Sequence, residues 1–203
     1  MDDSEIHRVP AGIAGILRDT DALRFAMASE PRVGALLAAL AASKPGGRFL
    51  ELGTGTGHGT AWLLAGMDAR SLLETVDSDP DVVAAAQRNL ASDTRVTFHV
   101  MDGADFLRRS SNQFDLIYAD AWPGKFSQLD EALSLLRPGG IYVIDDLLPQ
   151  PNWPDGHAPR VPALIDDIER RAEFVTVRLA WASGLMLVVR RTERWRPTLS
   201  RIT

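Results

Sequence analysis

Phe49-Leu50-Glu51-Leu52-Gly53-Thr54-Gly55-Thr56-Gly57-His58-Gly59 is the stretch on which the fold turns. An apolar run ends in an acid and then breaks into a loop with glycine at every second position. The helix-compatible Thr60-Ala61-Trp62-Leu63-Leu64-Ala65 follows directly. This pattern predicts a buried strand turning sharply into a helix, with backbone bare enough for a ligand to lie against it. A dinucleotide fingerprint needs glycine at its first, third and sixth positions. Counting from Gly53 puts His58 in the sixth place, and counting from Gly55 puts Thr60 there. The phosphate-cradling loop that ends in Gly-Lys-Ser/Thr is absent too. What remains is a nucleoside loop without a pyrophosphate seat, behind a carboxylate that would repel a phosphate.

Working outward, strand and helix patterns alternate with no low-complexity linker and no internal repeat. Apolar, β-branched-rich runs fall at Arg48–Leu52, Leu72–Asp77, Val96–Met101, Phe114–Ala119, Gly140–Ile144, Phe174–Leu179 and Leu185–Arg190. Helical patterns at Gly59–Gly66, Pro80–Leu90, Ala104–Arg109 and Ser127–Leu136 separate the first five, and Val161–Arg171 precedes the sixth. The expectation is an α/β fold: a doubly wound, mostly parallel sheet covered on both faces. Only Ala180–Gly184 separates the last two runs, which favours an antiparallel C-terminal hairpin. The whole of 1–203 reads as one domain, with a helical lead-in over 1–45, a core over 46–190 and a tail over 191–203. Arg32–Ala42 forms an amphipathic helix in that lead-in, stopped by Lys44-Pro45-Gly46-Gly47.

Bulk properties narrow the function classes. The net charge of −5 leaves no general electrostatic footprint for nucleic acid. No apolar run reaches membrane-spanning length. The opening Met1-Asp2-Asp3-Ser4-Glu5 lacks the apolar core of a secretory signal. With no cysteine, disulfides and thiolate metal sites are excluded. A cytoplasmic enzyme, with neither nucleic acid nor membrane as partner, is the expectation. The basic tail Arg190-Arg191-Thr192-Glu193-Arg194-Trp195-Arg196 could grip an acidic partner, or dock on its own surface.

Glu51-Leu52-Gly53-Thr54-Gly55-Thr56-Gly57 resembles the first motif of the class I methyltransferases that use S-adenosylmethionine. That ligand carries adenosine, an amino-acid tail and a sulfonium, but no phosphate, so a nearby acid suits it. The resemblance runs roughly from Met27 to Arg190 and implies a Rossmann-like sheet of seven strands. It also implies cofactor contacts from Met27, Glu51, Gly53, Thr54, Gly55, Gly59, Asp77, Ser78, Asp102, Gly103 and Asp120. In open α/β sheets ligands lie outside the carboxyl ends of the strands, and Asp77 ends the second at the right distance to accept both ribose hydroxyl protons. Asp79-Pro80 reads as a helix cap followed by a first-turn proline. Asp102 reads either as an acceptor for the adenine amine or as the cap of the helix from Ala104.

The fourth strand ends in Tyr118-Ala119-Asp120 and the fifth in Ile144-Asp145-Asp146. Neighbouring strand ends bring these acids together, where like charges raise each other's pKa unless something neutralises them. An oxygen-only set suits Mg²⁺, Mn²⁺ or Ca²⁺. The pattern is similar to the catechol and caffeoyl-coenzyme A O-methyltransferases, which carry Asp at the end of strand four and Asp-Asn at the end of strand five. By that resemblance Asp120, Asp145 and Asp146 are metal ligands, with Asp146 in place of the asparagine. The metal-free alternative has Asp120 orienting the cofactor while Asp145 and Asp146 cap loops. Catechol-type enzymes also place a lysine shortly after the strand-four acid. Here the matching position is Pro123, and Lys125 lies two residues further on. Asp120 and Lys125 are therefore the catalytic candidates, with His58 and His157 as alternative bases. Trp122 and Trp153, the latter in the proline-rich Leu147–Pro159, offer flat walls for a substrate. The resemblance implies a homodimeric O-methyltransferase for a small-molecule hydroxyl acceptor, with S-adenosylmethionine and a divalent cation as cofactors.

Overall fold

In a computed structural model that describes Ile6 and residues 8–193, seven strands form one sheet flanked by helices. In chain order the elements are α1 (Ile13–Leu23), α2 (Pro31–Ala42), β1 (Arg48–Leu52), α3 (His58–Gly66), β2 (Leu72–Asp77), α4 (Pro80–Leu90), β3 (Val96–Val100), α5 (Gly103–Arg109), β4 (Phe114–Ala119), α6 (Leu129–Ser134), β5 (Leu136–Ile144), α7 (Val161–Glu169), β6 (Phe174–Leu179) and β7 (Leu185–Arg190). The strand order is β3-β2-β1-β4-β5-β7-β6. The first five strands pair in parallel, and β7 runs antiparallel to both β5 and β6. Arg194, Trp195 and Arg196 of the basic tail lie outside the described residues.

Strand periodicity divides the core. Phe49 and Tyr118 face one side with Leu116 and Val143, packed against Ile16, Val33, Leu37 and Leu63 from α1, α2 and α3. Leu50, Leu52, Ile117 and Ile144 face the other side with Phe106, Leu133, Leu164 and Ile168 from α5, α6 and α7. Successive side chains of a strand alternate faces, so a sheet covered on both sides needs the unbroken apolar runs seen in the sequence.

Most boundaries fall within two residues of the sequence expectation, and the largest difference lies at the junction of α6 and β5. The helix expected over Ser127–Leu136 contracts to Leu129–Ser134, and β5 starts at Leu136 rather than Gly140. Leu136 pairs with Phe114, the register shifts, and regular pairing resumes at Ile141 opposite Leu116. Two fully buried side chains, Phe114 and Leu136, hold this short stretch in the sheet despite the turn-forming Pro138-Gly139-Gly140.

Helices α2 and α3 pack so closely that a Cβ at Gly66 would stand 2.0 Å from the Ala38 carbonyl oxygen. Gly66→Ala should therefore push the two helices apart and cost about 1–3 kcal/mol of stability. Urea unfolding followed by circular dichroism should show a lower midpoint; an unchanged midpoint contradicts this packing.

Candidate active site

Strand β1 has β2 on one side and β4 on the other, so the chain reverses its winding direction beside it. The crevice at such a switch point, beyond the carboxyl ends of the strands, is where open α/β sheets bind ligands. A cavity of about 390 Å³ lies there. Gly53, Thr54, Gly55 and Gly59 form its floor, with Asp77 and Ser78 at one end. Asp120, Trp122, Lys125 and Asp146 stand at the other end, and Phe25, Met27, Trp153 and His157 also line it. Gly53 and Gly55 have φ of +103° and +50°, in the left-handed region that other residues rarely adopt. A Cβ on Gly53 would stand 2.6 Å from the Asp120 carbonyl oxygen, so the loop can lie this close to the end of β4 only as glycine.

The acid of the glycine motif does not reach the cavity. Glu51 is fully buried and shares the helix-facing side of β1 with Phe49. Its Oε2 accepts hydrogen bonds from the Thr60 and Thr75 hydroxyls, while Oε1 has no partner and faces Gly59. Burial pushes its pKa up to about 8, outweighing the two threonine bonds. Glu51 does not line the cavity but lies behind it, against Gly59, tying α3 to β2 through Thr60 and Thr75.

Asp77 does line the cavity. Its Oδ2 accepts from the Gly55 amide at 2.9 Å and its Oδ1 from the Asp79 amide at 3.1 Å. Asp79 caps α4 by accepting from the Asp81 amide, as expected. Asp102 caps α5 by accepting from the Asp105 amide at 3.0 Å, and neither it nor Gly103 is part of the cavity wall. Between the two readings of Asp102, the structure supplies the cap.

The acids of β4 and β5 are held by donors from the protein itself. Tyr118 hydroxyl donates to Asp145 Oδ2 at 2.6 Å and lies 3.1 Å from Asp120 Oδ2. Ser29 donates to the same Asp120 oxygen at 3.0 Å. Asp145 Oδ1 accepts from the Ser183 hydroxyl and from the Asp146 amide. Burial, together with the mutual repulsion of neighbouring carboxylates, raises both Asp120 and Asp145 above the usual carboxylate range. Both effects disfavour the anion, so this pair keeps a proton to higher pH than exposed acids would.

Into this cluster comes Lys125, only 3% exposed. The turn Trp122–Ser127 folds the lysine back: Lys125 and Phe126 amides donate to the Trp122 carbonyl, and Gly124 has φ +86°. Tyr142 hydroxyl pins that turn through the Gly124 carbonyl at 2.7 Å. Lys125 Nζ donates to the Asp145 carbonyl at 3.2 Å and stands 3.9 Å from Asp120 Oδ1 and 4.0 Å from Asp146 Oδ2. The metal expectation gains no support from this geometry. Among the described residues no three of His, Cys, Asp and Glu are arranged to hold an ion. Asp145 has both oxygens engaged, and a lysine stands among the acids.

Segments distant in sequence complete the chamber. Asn152 Nδ2 donates to the Ala26 carbonyl at 2.7 Å, tying the proline-rich loop to the lead-in. His157 stacks on Trp153 at 4.3 Å and meets the edge of Phe126. Its Nε2–H donates to the Asp146 carbonyl at 3.0 Å, which leaves the Nδ1 lone pair when the ring is neutral. Burial lowers the His157 pKa and so favours that neutral ring. His58 also lines the cavity, with Nδ1 buried and without a partner. Sequence reasoning missed Ser29, Tyr118 and Ser183. Tyr118 was within reach, because it lies two residues before Asp120 on one strand and so shares its face. The serines, 91 and 38 residues from the aspartates they bind, gave no signal.

Comparison with known proteins gives a consistent outcome. Residues 50–147 match a family model described as a methyltransferase domain. A Mycobacteroides abscessus protein, provisionally named an O-methyltransferase, is 31% identical over 173 residues, which is 79% of this chain and 80% of that protein. A Mycobacterium avium protein of the same provisional name is 35% identical over 122 residues, 56% of this chain and 54% of its own length. The chain thus spans about half the length of that relative. The O-methyltransferase TomG of Streptomyces achromogenes, involved in tomaymycin synthesis and solved with S-adenosylmethionine, superposes with a TM-score of 0.79 at 22% identity, covering 93% of each chain. A Bacillus cereus O-methyltransferase solved with S-adenosylhomocysteine superposes at 0.80 with 20% identity, covering 92% of this chain and 93% of that one. At these identities the structures share the fold.

The buried acid behind the glycine loop sets a pH dependence. The folded chain keeps a proton on Glu51 up to about pH 8, while the unfolded chain releases it near 4.5. The stability this group contributes is complete below the unfolded value and declines as pH rises through the window, by roughly 1.4 kcal/mol per unit. Glu51→Gln cannot ionise, so its stability relative to the parent should rise steadily between about pH 5 and pH 8. Urea midpoints measured across that range check this; parallel profiles for the two chains contradict it.

Proposed function

We propose that this chain, which belongs to the O-methyltransferase family, transfers a methyl group from S-adenosylmethionine to a hydroxyl of a small molecule. One observation carries the reading: the bare glycine loop, the carboxylate of Asp77 and the Asp120–Lys125 pair line a single cavity at the sheet's switch point. The donor set fits a nucleoside without phosphates. Among the described residues no lysine or arginine lines the cavity near the glycine loop, and the acid at the end of β2 suits a ribose diol. The exposed backbone of Gly53 and Gly55 leaves room for a flat ligand that a Cβ would exclude.

When bound, the cofactor supplies an electrophilic methyl group on a sulfonium. The chain's own residues then have three tasks. Asp77 holds the sugar through its hydroxyls, fixing the ligand along the loop. Trp122, Trp153 and Met27 wall the far end of the cavity and keep water from the acceptor. Asp120 takes the proton of the acceptor hydroxyl. Its Oδ2 is occupied by Ser29 and Tyr118, which leaves Oδ1 beside Lys125 as the receiving atom. Burial raises the basicity of that carboxylate and so brings it closer to the working pH of a general base. Most of the rate would come from positioning and fixed charge, since the displacement needs no covalent help from the protein.

Calorimetry with S-adenosylhomocysteine tests the reading. The chain should bind it, and Asp77→Ala should weaken binding about 10- to 100-fold, as expected for charged hydrogen bonds worth about 1.5–3 kcal/mol. No heat with S-adenosylhomocysteine at millimolar concentration sinks the proposal.

A further inference from the structure

The lysine among the acids goes beyond a departure from a familiar pattern. We propose that the ammonium of Lys125 is the resident cation of the acidic pocket, in the place a divalent ion would take, and that it presents its free N–H groups to the acceptor oxygen. This deepens the O-methyl transfer reading and rests on it for the acceptor, but not for the ion.

Three observations support it. An ion such as Mg²⁺ or Mn²⁺ needs several oxygens converging at about 2.0–2.6 Å. Among the described residues no three acidic or imidazole side chains converge in that way, and Asp145 Oδ1 already accepts from both the Ser183 hydroxyl and the Asp146 amide. Second, Lys125 enters from within the fold on a stem that is almost wholly buried, so its charge stays in the pocket rather than in solvent. A buried charge persists only when paired, and Asp120 and Asp146 flank this one. Third, the ammonium has three donors and spends one on the Asp145 carbonyl at 3.2 Å. The carboxylates at 3.9 and 4.0 Å are too distant for hydrogen bonds, and Nζ borders the cavity. An acceptor oxygen entering between them meets a fixed positive charge, the electrostatic task otherwise given to a metal.

Competition for one place is directly measurable. The electron paramagnetic resonance signal of free Mn²⁺ should be unaffected by the full chain, whereas Lys125→Ala should take up Mn²⁺ at least about tenfold better, an uptake abolished by adding Asp146→Ala, which removes the side-chain oxygens. Lys125→Met keeps the stem's packing and replaces the alanine variant if that does not fold. Stoichiometric Mn²⁺ uptake by the unaltered chain overturns the proposal, as does equal uptake by the chain and its lysine variants. S-adenosylhomocysteine binding, followed on the same samples, separates failure of this inference from failure of the methyl-transfer reading.

Discussion

A parallel sheet gathers the carboxyl ends of its strands on one edge, and here four of the five parallel strands, β1, β2, β4 and β5, end in or beside an acid. Left alone, such a row of carboxylates would repel and resist burial. The chain resolves each case differently, and those solutions shape the site. Glu51, deepest of the set, keeps its proton and rests on two threonine hydroxyls. Asp77, at the rim, accepts from the Gly55 amide and so fixes the loop that faces the cavity. Asp120 and Asp145 share Tyr118 between them, with Ser29 and Ser183 as outer donors. Lys125 supplies the only positive charge of this cluster among the described residues.

This arrangement explains why the lead-in and the hairpin belong to the site rather than to its packaging. Ser29 comes from the segment between α1 and α2, and Ser183 from the turn between β6 and β7. The hairpin turn is itself locked to the chain after β5, where Leu147 and Leu148 amides donate to the Gly184 and Ser183 carbonyls. Thr20 of α1 touches Thr56 of the glycine loop through a hydroxyl pair at 2.6 Å. Pieces from both ends of the described chain therefore converge on one acidic cluster, and displacing either would leave a buried carboxylate without its donor.

The fold was largely legible because its signals are local. Unbroken apolar runs mark the central strands buried on both faces, the half-exposed edge strands β3 and β6 show through their β-branched residues, and all seven were read. The miss at β5 has a physical cause: Pro138-Gly139-Gly140 has the composition of a turn and lies within the register shift between the Phe114–Leu136 and Leu116–Ile141 pairs, before pairing with β7 begins at Ile141. Proline is tolerated where no ladder bond is asked of its nitrogen. The site was half legible. Strand-end acids could be placed by alternation, whereas their serine donors come from far along the chain. No helix among the described residues is long and apolar enough to cross a membrane, in line with the short apolar runs of the sequence.

Lys125 shows best how a motif can mislead where its surroundings do not. Matched position by position, the catechol-type lysine falls on Pro123, and Lys125 follows two residues later. In the fold, Pro123-Gly124 makes a turn whose left-handed glycine, pinned by Tyr142, folds the chain back so that Lys125 reaches the acids beyond β4 and β5. Once there, the ammonium stands within 4.0 Å of two of the carboxylates that an ion would need, so any ion would have to compete with it for them. The two departures from the pattern, the displaced lysine and an aspartate in place of asparagine, are then linked. The additional negative charge of Asp146 offsets a cation that the protein itself provides.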